Sequence, residues 1–140
     1  MNIDSTVRTG IVIDHITAGR AMRLYELLGL EMSDGSVAII KNVASAKMGK
    51  KDIIKIETDK PLDLDIIGYV DPDATVNVIR DGKSVEKKRI ATPAELRDVI
   101  HCKNPRCITS AEQELPHVFR LTDPEHRIYR CIYCETKANQ

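Results

Sequence analysis

An α+β fold in two units is predicted for this 140-residue chain, and three observations predict it. Segments with strand and helix periodicity succeed one another as β-α-β-β-α-β through the first two thirds of the sequence. The dipeptide Asp81-Gly82 is a strong hairpin signal that adds one more strand to that series. All four cysteines then fall between residues 102 and 134, in a tail too small to bury a sufficient core of its own.

Each element has a local reason. Residues 8 to 16 carry a β-branched run that reads as a strand and ends in the polar pair Asp14-His15. From Ala18 to Leu30, the residues Ala18, Ala21, Met22, Tyr25 and Leu28 recur at helical spacing, and Gly29 supplies a stop. Ser36 to Val43 and Asp52 to Glu57 read as strands on either side of a basic loop, Lys47 to Lys51. Pro61 to Val70 places Leu62, Ile66, Tyr69 and Val70 on one helical face. Ala74 to Arg80 alternates Val76 and Val78 against Asn77 and Ile79, and the Asp81-Gly82 turn leads into a strand from Lys83 to Ile90. This order is the split βαβ or ferredoxin-like arrangement, with helices on one face of an antiparallel sheet. Thr92-Pro-Ala-Glu95 has a cap residue, a proline at the first helical position and a glutamate three residues after the cap, which predicts a connecting helix from Pro93 to Ile100. The expected domains are therefore 1–92 and 93–140, the second a small antiparallel, zinc-ribbon-like unit.

Composition narrows the function classes. Hydrophobic residues make up 42% of the chain, and 21 Lys+Arg balance 21 Asp+Glu, so no global field draws the protein to nucleic acid or an anionic membrane. The longest apolar runs, such as Ile11 to Ile13 and Val37 to Ile40, are far short of the roughly 20 residues that span a bilayer, and no secretory segment follows Met1. A cytoplasmic location is expected. With one Phe, four Tyr and no Trp, the core must come from Ile, Val and Leu.

The cysteines give the strongest chemical signal. Cys102 and Cys107 are four residues apart in their loop, Cys131 and Cys134 two, and 23 residues separate the pairs. Two such knuckles bring four thiolates into tetrahedral reach of Zn²⁺ at about 2.3 Å, and four protein ligands leave no open position, which argues for a structural metal. Two disulfides, a redox CxxC pair or a rubredoxin-type iron site are the alternatives. A reducing compartment disfavours the first, and the thioredoxin-like pattern that accompanies the second is missing. His101, His117 and His126 lie near the cysteines but are not needed as ligands.

Polar residues of the first unit are individually ambiguous. Asp14-His15, the lysines Lys50, Lys51 and Lys55, Asn77, and Lys83, Lys87 and Lys88 can converge on one sheet edge, where cations suit a polyphosphate and a carboxylate and amide suit ribose hydroxyls or a base. A lysine-rich strand is also the ordinary protection of an exposed edge, and no glycine-rich phosphate loop is present. An anion site is as far as these residues lead by themselves.

Gly10-Ile-Val-Ile-Asp-His-Ile16, Met48-Gly-Lys-Lys-Asp-Ile-Ile-Lys-Ile-Glu57, Ala74-Thr-Val-Asn-Val-Ile79 and the two cysteine knuckles together resemble the regulatory chain of aspartate carbamoyltransferase, over nearly the whole length. The resemblance implies a subunit without an active site of its own, which binds CTP and ATP at one allosteric site and docks on catalytic chains through its zinc domain. It also implies that regulatory chains pair through their nucleotide domains, and that CTP favours the low-activity state and ATP the high-activity state. By motif match, Asp14 and Lys55 correspond to the ribose contacts, His15 and Lys87 to the triphosphate contacts, and Asn77 to the phosphate end. Val7, Val12 and Ile79 flank the base, whose amino group is held by backbone carbonyls, one of them at the hairpin. There this sequence has Gly82 and Ser84 where tyrosine and valine are frequent in the family.

Two other readings fit these residues less well. A zinc-ribbon nucleic-acid module with an attached sensor calls for a basic stripe, yet residues 101 to 140 hold six Lys/Arg and five Asp/Glu. An enzyme using Asp14 and His15 as an acid-base pair needs both side chains on one side of the strand, whereas neighbours in a regular strand face opposite ways.

Overall fold

The structure, a computed structural model, describes residues 8–138. The chain divides into two compact units, Met1–Ala91 and Thr92–Gln140. In the first, the elements run β1 (Gly10–Thr17), α1 (Ala21–Leu27), β2 (Val37–Ser45), β3 (Gly49–Glu57), α2 (Leu64–Val70), β4 (Thr75–Arg80) and β5 (Lys83–Arg89). The five strands form one sheet in the order β2-β3-β1-β4-β5, and every pairing is antiparallel. Removing the added β5 leaves the ferredoxin-like order. Because β1 and β2 are separated by β3, the first βαβ unit is split, as the element series requires.

The two faces of the sheet differ. Ile13 pairs with Ile54 and Val76, and Ile11 with Ile56 and Val78; this face meets the helices, where α1 packs on both β3 and α2. All of these but the half-buried Val78 are buried, with Ile13, Ile54 and Leu24 of α1 fully so. On the opposite face Val12, Ile53 and Ile79 form a second, smaller cluster, extended by Ile40 and Val43. The β-branched content of these strands thus serves both faces.

Both helices are shorter than their sequence periodicity predicts. α1 covers Ala21–Leu27 instead of Ala18 to Leu30, since Gly29 takes a left-handed φ of 67° and the chain continues as a 3-10 turn, Leu30–Met32. α2 starts at Leu64, capped by Asp63, whose carboxylate accepts from the Asp65 amide at 3.0 Å. The segment read as a basic loop is largely strand: β2 and β3 form a tight hairpin closed by Ser45 opposite Gly49, which leaves only residues 46–48 as the turn. At Asp81-Gly82 the two positive φ angles, 52° and 76°, match the twist of a two-residue hairpin turn.

Two bulges flank the middle of β3. One lies between Ile13 and Ile16 of β1, with His15 at φ 57°, and the other between Ile40 and Val43 of β2, with Asn42 at φ 59°. Between them sits Asp52, completely buried, whose carboxylate accepts from the amides of Gly19 (3.0 Å), Ala21 (3.4 Å) and Asn42 (3.0 Å). One side chain thereby fixes the start of α1 and the β2 bulge.

The second unit is a three-stranded antiparallel sheet, β6 (Glu95–Arg97), β7 (Val118–Asp123) and β8 (Ile128–Cys131), ordered β6-β7-β8, with a single helical turn α3 (Ile108–Ala111). The connecting helix expected over Pro93 to Ile100 is not formed. Leu96 is buried opposite Phe119, and the Pro93 carbonyl accepts the hydroxyl of the buried Tyr129, so pairing with β7 outweighs the local capping signal. An isolated helix of that length is marginal without an apolar face to bury, and here its one buried large aliphatic residue, Leu96, is needed by the sheet.

Candidate functional site

The knuckles converge in the second unit. Cys102, Cys107, Cys131 and Cys134 each offer a sulfur, and these sulfurs lie within 4.8 Å of one another. Cys102 Sγ is 3.5 Å from Cys134 Sγ, and Cys107 Sγ 3.8 Å from Cys131 Sγ, with all four cysteines free of disulfides. A tetrahedron with metal–sulfur bonds of about 2.3 Å has edges of about 3.8 Å, so this cluster has the size of a four-thiolate zinc site. Its acid-base character fits a cation too. Burial pushes the Cys102 thiol up to about 12 and raises Cys131, while the Thr136 hydroxyl, 3.1 Å away, draws Cys134 down to about 6. Of these three, Cys134 is the one readily ionised near neutrality; binding a metal must release the protons of Cys102 and Cys131.

Residues outside the ligand set hold it together. Asn104 Nδ2 donates to Thr136 Oγ1 at 3.2 Å and so ties one knuckle to the other, while the Asn104 carbonyl oxygen accepts from the Cys107 amide at 3.0 Å. Thr109 donates to Cys107 Sγ at 3.1 Å. His117 Nδ1 accepts from the Cys102 amide at 3.2 Å, which makes it a supporting residue and not a ligand. Asn104, Thr109 and Thr136 are missed by a reading confined to metal-ligating residue types. The asparagine three residues before Cys107 was the available signal, because such a position favours a local turn.

In the first unit, the β-ladder aligns several candidates. Lys55, Val12, Asn77 and Lys87 are consecutive Cα partners across β3, β1, β4 and β5, and paired residues project to one face, here the one without helices. Lys55 and Val12 are buried, Asn77 is half-buried and Lys87 is exposed. Two residues further along β4 toward Arg80, Ile79 lies opposite Gly10 and Ser84, and Gly82 occupies the hairpin turn beyond it, donating its amide to the Arg8 carbonyl at 2.9 Å. In the other direction Thr75 pairs with Asp14 and Arg89. Val7 lies outside the described residues.

The bulge changes the geometry expected of Asp14 and His15. In a regular strand they would face opposite ways; here His15 Nδ1 lies 3.9 Å from Asp14 Oδ2 and 3.1 Å from Thr75 Oγ1. Asp14 also accepts from the His15 amide at 2.6 Å and pairs with Lys51 Nζ at 3.0 Å, so its carboxylate is committed to local contacts. A pocket of about 570 Å³ opens beside it, lined by His15, Thr75 and Lys87 among others. Thr75 carried no sequence mark as a lining residue of this pocket, although the alternation of Thr75, Asn77 and Ile79 places it on the same face.

A helix-backed, ferredoxin-like sheet with a cationic pocket at one end, joined in one chain to a four-thiolate metal unit without an open coordination position, defines a class: a ligand-binding domain coupled to a structural metal domain. Family models describe the two parts in sequence. Residues 1–91 match the allosteric domain of the aspartate carbamoyltransferase regulatory chain and residues 94–140 its metal-binding domain. Among curated proteins, the aspartate carbamoyltransferase regulatory chain of Clostridium tetani (strain Massachusetts / E88) is 48% identical over 133 residues, covering 94% of this chain and 92% of that one. That of Clostridium botulinum (strain Hall) is 47% identical over 131 residues, covering 94% and 90%. That of Bifidobacterium longum (strain NCC 2705) is 44% identical over 134 residues, covering 96% of each. The chain belongs to the family of aspartate carbamoyltransferase regulatory chains. It is a regulatory and not a catalytic chain, and the cysteine cluster of its metal-binding domain fits one structural zinc.

Proposed function

We propose that this chain binds CTP and ATP at a single allosteric site on the helix-free face of its first unit, and that its zinc unit docks on the catalytic chains of aspartate carbamoyltransferase and links their trimers. The alignment of Lys55, Val12, Asn77 and Lys87 in one row, ending at the pocket beside His15, is the observation that carries this reading. From Thr75 to Ile79 the face extends roughly 14 Å at about 3.4 Å per residue, with the cations at one end and apolar Ile79 at the other. A triphosphate takes the charged end, the ribose the neighbourhood of Asp14 and Lys55, and the base the end with Ile79 and Gly82. Val7 belongs to the base end by motif. Regulatory chains pair through these nucleotide units, and the assembly works in the cytoplasm, which accords with four reduced thiols and with the lack of any membrane-length apolar helix among the described residues.

For docking, the exposed apolar residues next to the ligands are the natural contact. Ile108 follows Cys107, and Ile132 and Tyr133 lie between Cys131 and Cys134; all three are exposed. Apolar and aromatic groups in such positions supply the anchors of protein interfaces. Regulation then requires that each nucleotide bind one quaternary state better than the other, with coupling of about 1–3 kcal/mol for an effect of roughly 5- to 150-fold.

Titration calorimetry on the zinc-loaded chain tests the nucleotide half. CTP and ATP compete for one site per chain, and Lys87→Ala weakens both while zinc content stays stoichiometric; unchanged affinity would remove Lys87 from the site. Gel filtration with catalytic trimers tests the other half: the native chain migrates as a larger complex and Cys107→Ser does not. Co-migration of Cys107→Ser with the trimers would refute docking through the metal unit.

A further inference from the structure

The pocket at the end of the sheet holds more positive charge than the nucleotide row accounts for. Besides His15, Thr75 and Lys87, its walls include Lys47, Arg89 and a single acid, Asp73. Arg89 shares a face with Lys87, since each pairs with an alternate residue of β4, Thr75 and Asn77. Lys47 arrives from elsewhere, out of the three-residue turn of the β2–β3 hairpin, which is pinned by the Met48 amide donating to Ser45 Oγ at 3.2 Å.

These cations are not spoken for. Among the described residues none of Lys47, Lys87 and Arg89 closes an ion pair, whereas Lys51, on the same hairpin, is neutralised by Asp14. Three permanent cations gathered around one cavity repel one another within a screening length of about 8 Å at physiological salt. An entering polyanion converts that repulsion into attraction and supplies the acceptors these donors lack. The cavity, about 570 Å³, falls in the roughly 300–1,000 Å³ range of small-molecule sites. A lysine on a hairpin turn is ordinarily a solvated charge; what sets Lys47 apart is that separate segments of chain bring it, His15 and Arg89 to the walls of one cavity.

We propose that Lys47 contacts the terminal phosphate of a bound nucleoside triphosphate, with Arg89 on the neighbouring wall, so that the β2–β3 hairpin senses how many phosphates the nucleotide carries. The proposal rests on the nucleotide-binding reading above and assigns that site a specificity residue. Lys87 and His15 hold the phosphates of any nucleotide that binds; Lys47 adds its contact only when the chain of phosphates is long enough to reach the hairpin.

Calorimetry on the zinc-loaded full chain with CTP and with CMP separates the possibilities. Lys47→Gln is expected to weaken CTP binding roughly tenfold, the scale of one lost charge-assisted hydrogen bond, and to leave CMP within a factor of about two. Lys47→Arg restores CTP affinity, and Lys41→Gln, which removes an exposed lysine of β2 outside the pocket, changes neither. Amide spectra confirm that each variant is folded. Equal CTP affinity in the native chain and Lys47→Gln overturns the assignment while the nucleotide site stands, and so does an equal loss for CTP and CMP. A native chain that binds neither nucleotide overturns the site itself.

Discussion

The two units of this chain solve the problem of holding a small sheet together by different means. The first has five strands and two helices and buries an Ile-rich layer on one face and a smaller cluster on the other. The second has three short strands, and its buried apolar set is little more than Leu96, Val118, Phe119, Tyr129 and two of the cysteines themselves. Domains of that size rarely reach useful stability from apolar burial alone. Each unit has a polar staple suited to its core. Asp52 gathers three backbone amides where the first unit's loops meet its sheet, and four thiolates gather one metal where the second unit's chain turns.

Removing the metal is the most severe perturbation of either staple. Structural zinc contributes an apparent 10–16 kcal/mol or so in small zinc-finger peptides, more than any three-stranded sheet of this kind can forgo. Chelation is therefore expected to collapse the amide resonances of Glu95 to Ala138 while those of Gly10 to Arg89 remain dispersed, in a two-dimensional nitrogen–proton spectrum. Persistence of a dispersed second unit after stoichiometric zinc removal would mean that its core stands unaided. The first unit has a smaller equivalent. Asp52→Asn keeps one acceptor and places an amide group against backbone N–H donors, and each stranded buried donor costs about 1–3 kcal/mol, so a loss of about 3 kcal/mol is expected. In a domain of this length that lowers the midpoint by roughly 10–20 °C in thermal denaturation, with zinc affinity unchanged. A variant that melts with the native chain would show that the α1 and β2 bulge contacts are held by packing.

These two staples were not equally legible in the sequence. Cysteine spacing is diagnostic because few chemistries need four soft ligands at two short intervals, so the metal centre is readable without any fold. Asp52 carries no such mark: it is one acid in a run of strand residues, and its role exists only because bulges at His15 and Asn42 bring amides toward it. The same bulge explains why Asp14 and His15, which strand alternation assigns to opposite faces, meet beside Thr75. Element order in the first unit was legible because period-2 and period-3.6 runs are long there. Pro93 to Ile100 misled because the capping signal is local, while Leu96 has only one apolar surface to reach, and it belongs to β7. Residues of the helix-free face were readable where they alternate along a strand, as Asn77 and Ile79 do, while Lys47 on the pocket wall was obscure because a turn delivers it.

The gentlest test concerns the second unit's hairpin, where electrostatics acts without burial. Asp123 Oδ2 lies 2.8 Å from His126 Nδ1, and its carboxyl is held below the ordinary aspartate value, chiefly by that side-chain hydrogen bond and then by the His126 amide. A depressed folded-state pKa stabilises the fold fully at pH values above the unfolded value, and that contribution is lost as the pH falls through the folded value. The pair is solvent-exposed, so the effect on unfolding is small and salt-sensitive. It is better seen in the titration itself: carbon-detected NMR should place the Asp123 midpoint below the ordinary one in the native chain and back toward it in His126→Ala. Addition of salt should shift the native midpoint upward and barely move the variant. If Asp123 titrates alike in both, the turn from Pro124 to Arg127 is set by backbone geometry, with Arg127 in its left-handed conformation at φ 53°, and the second unit owes its order to the metal and its few core residues.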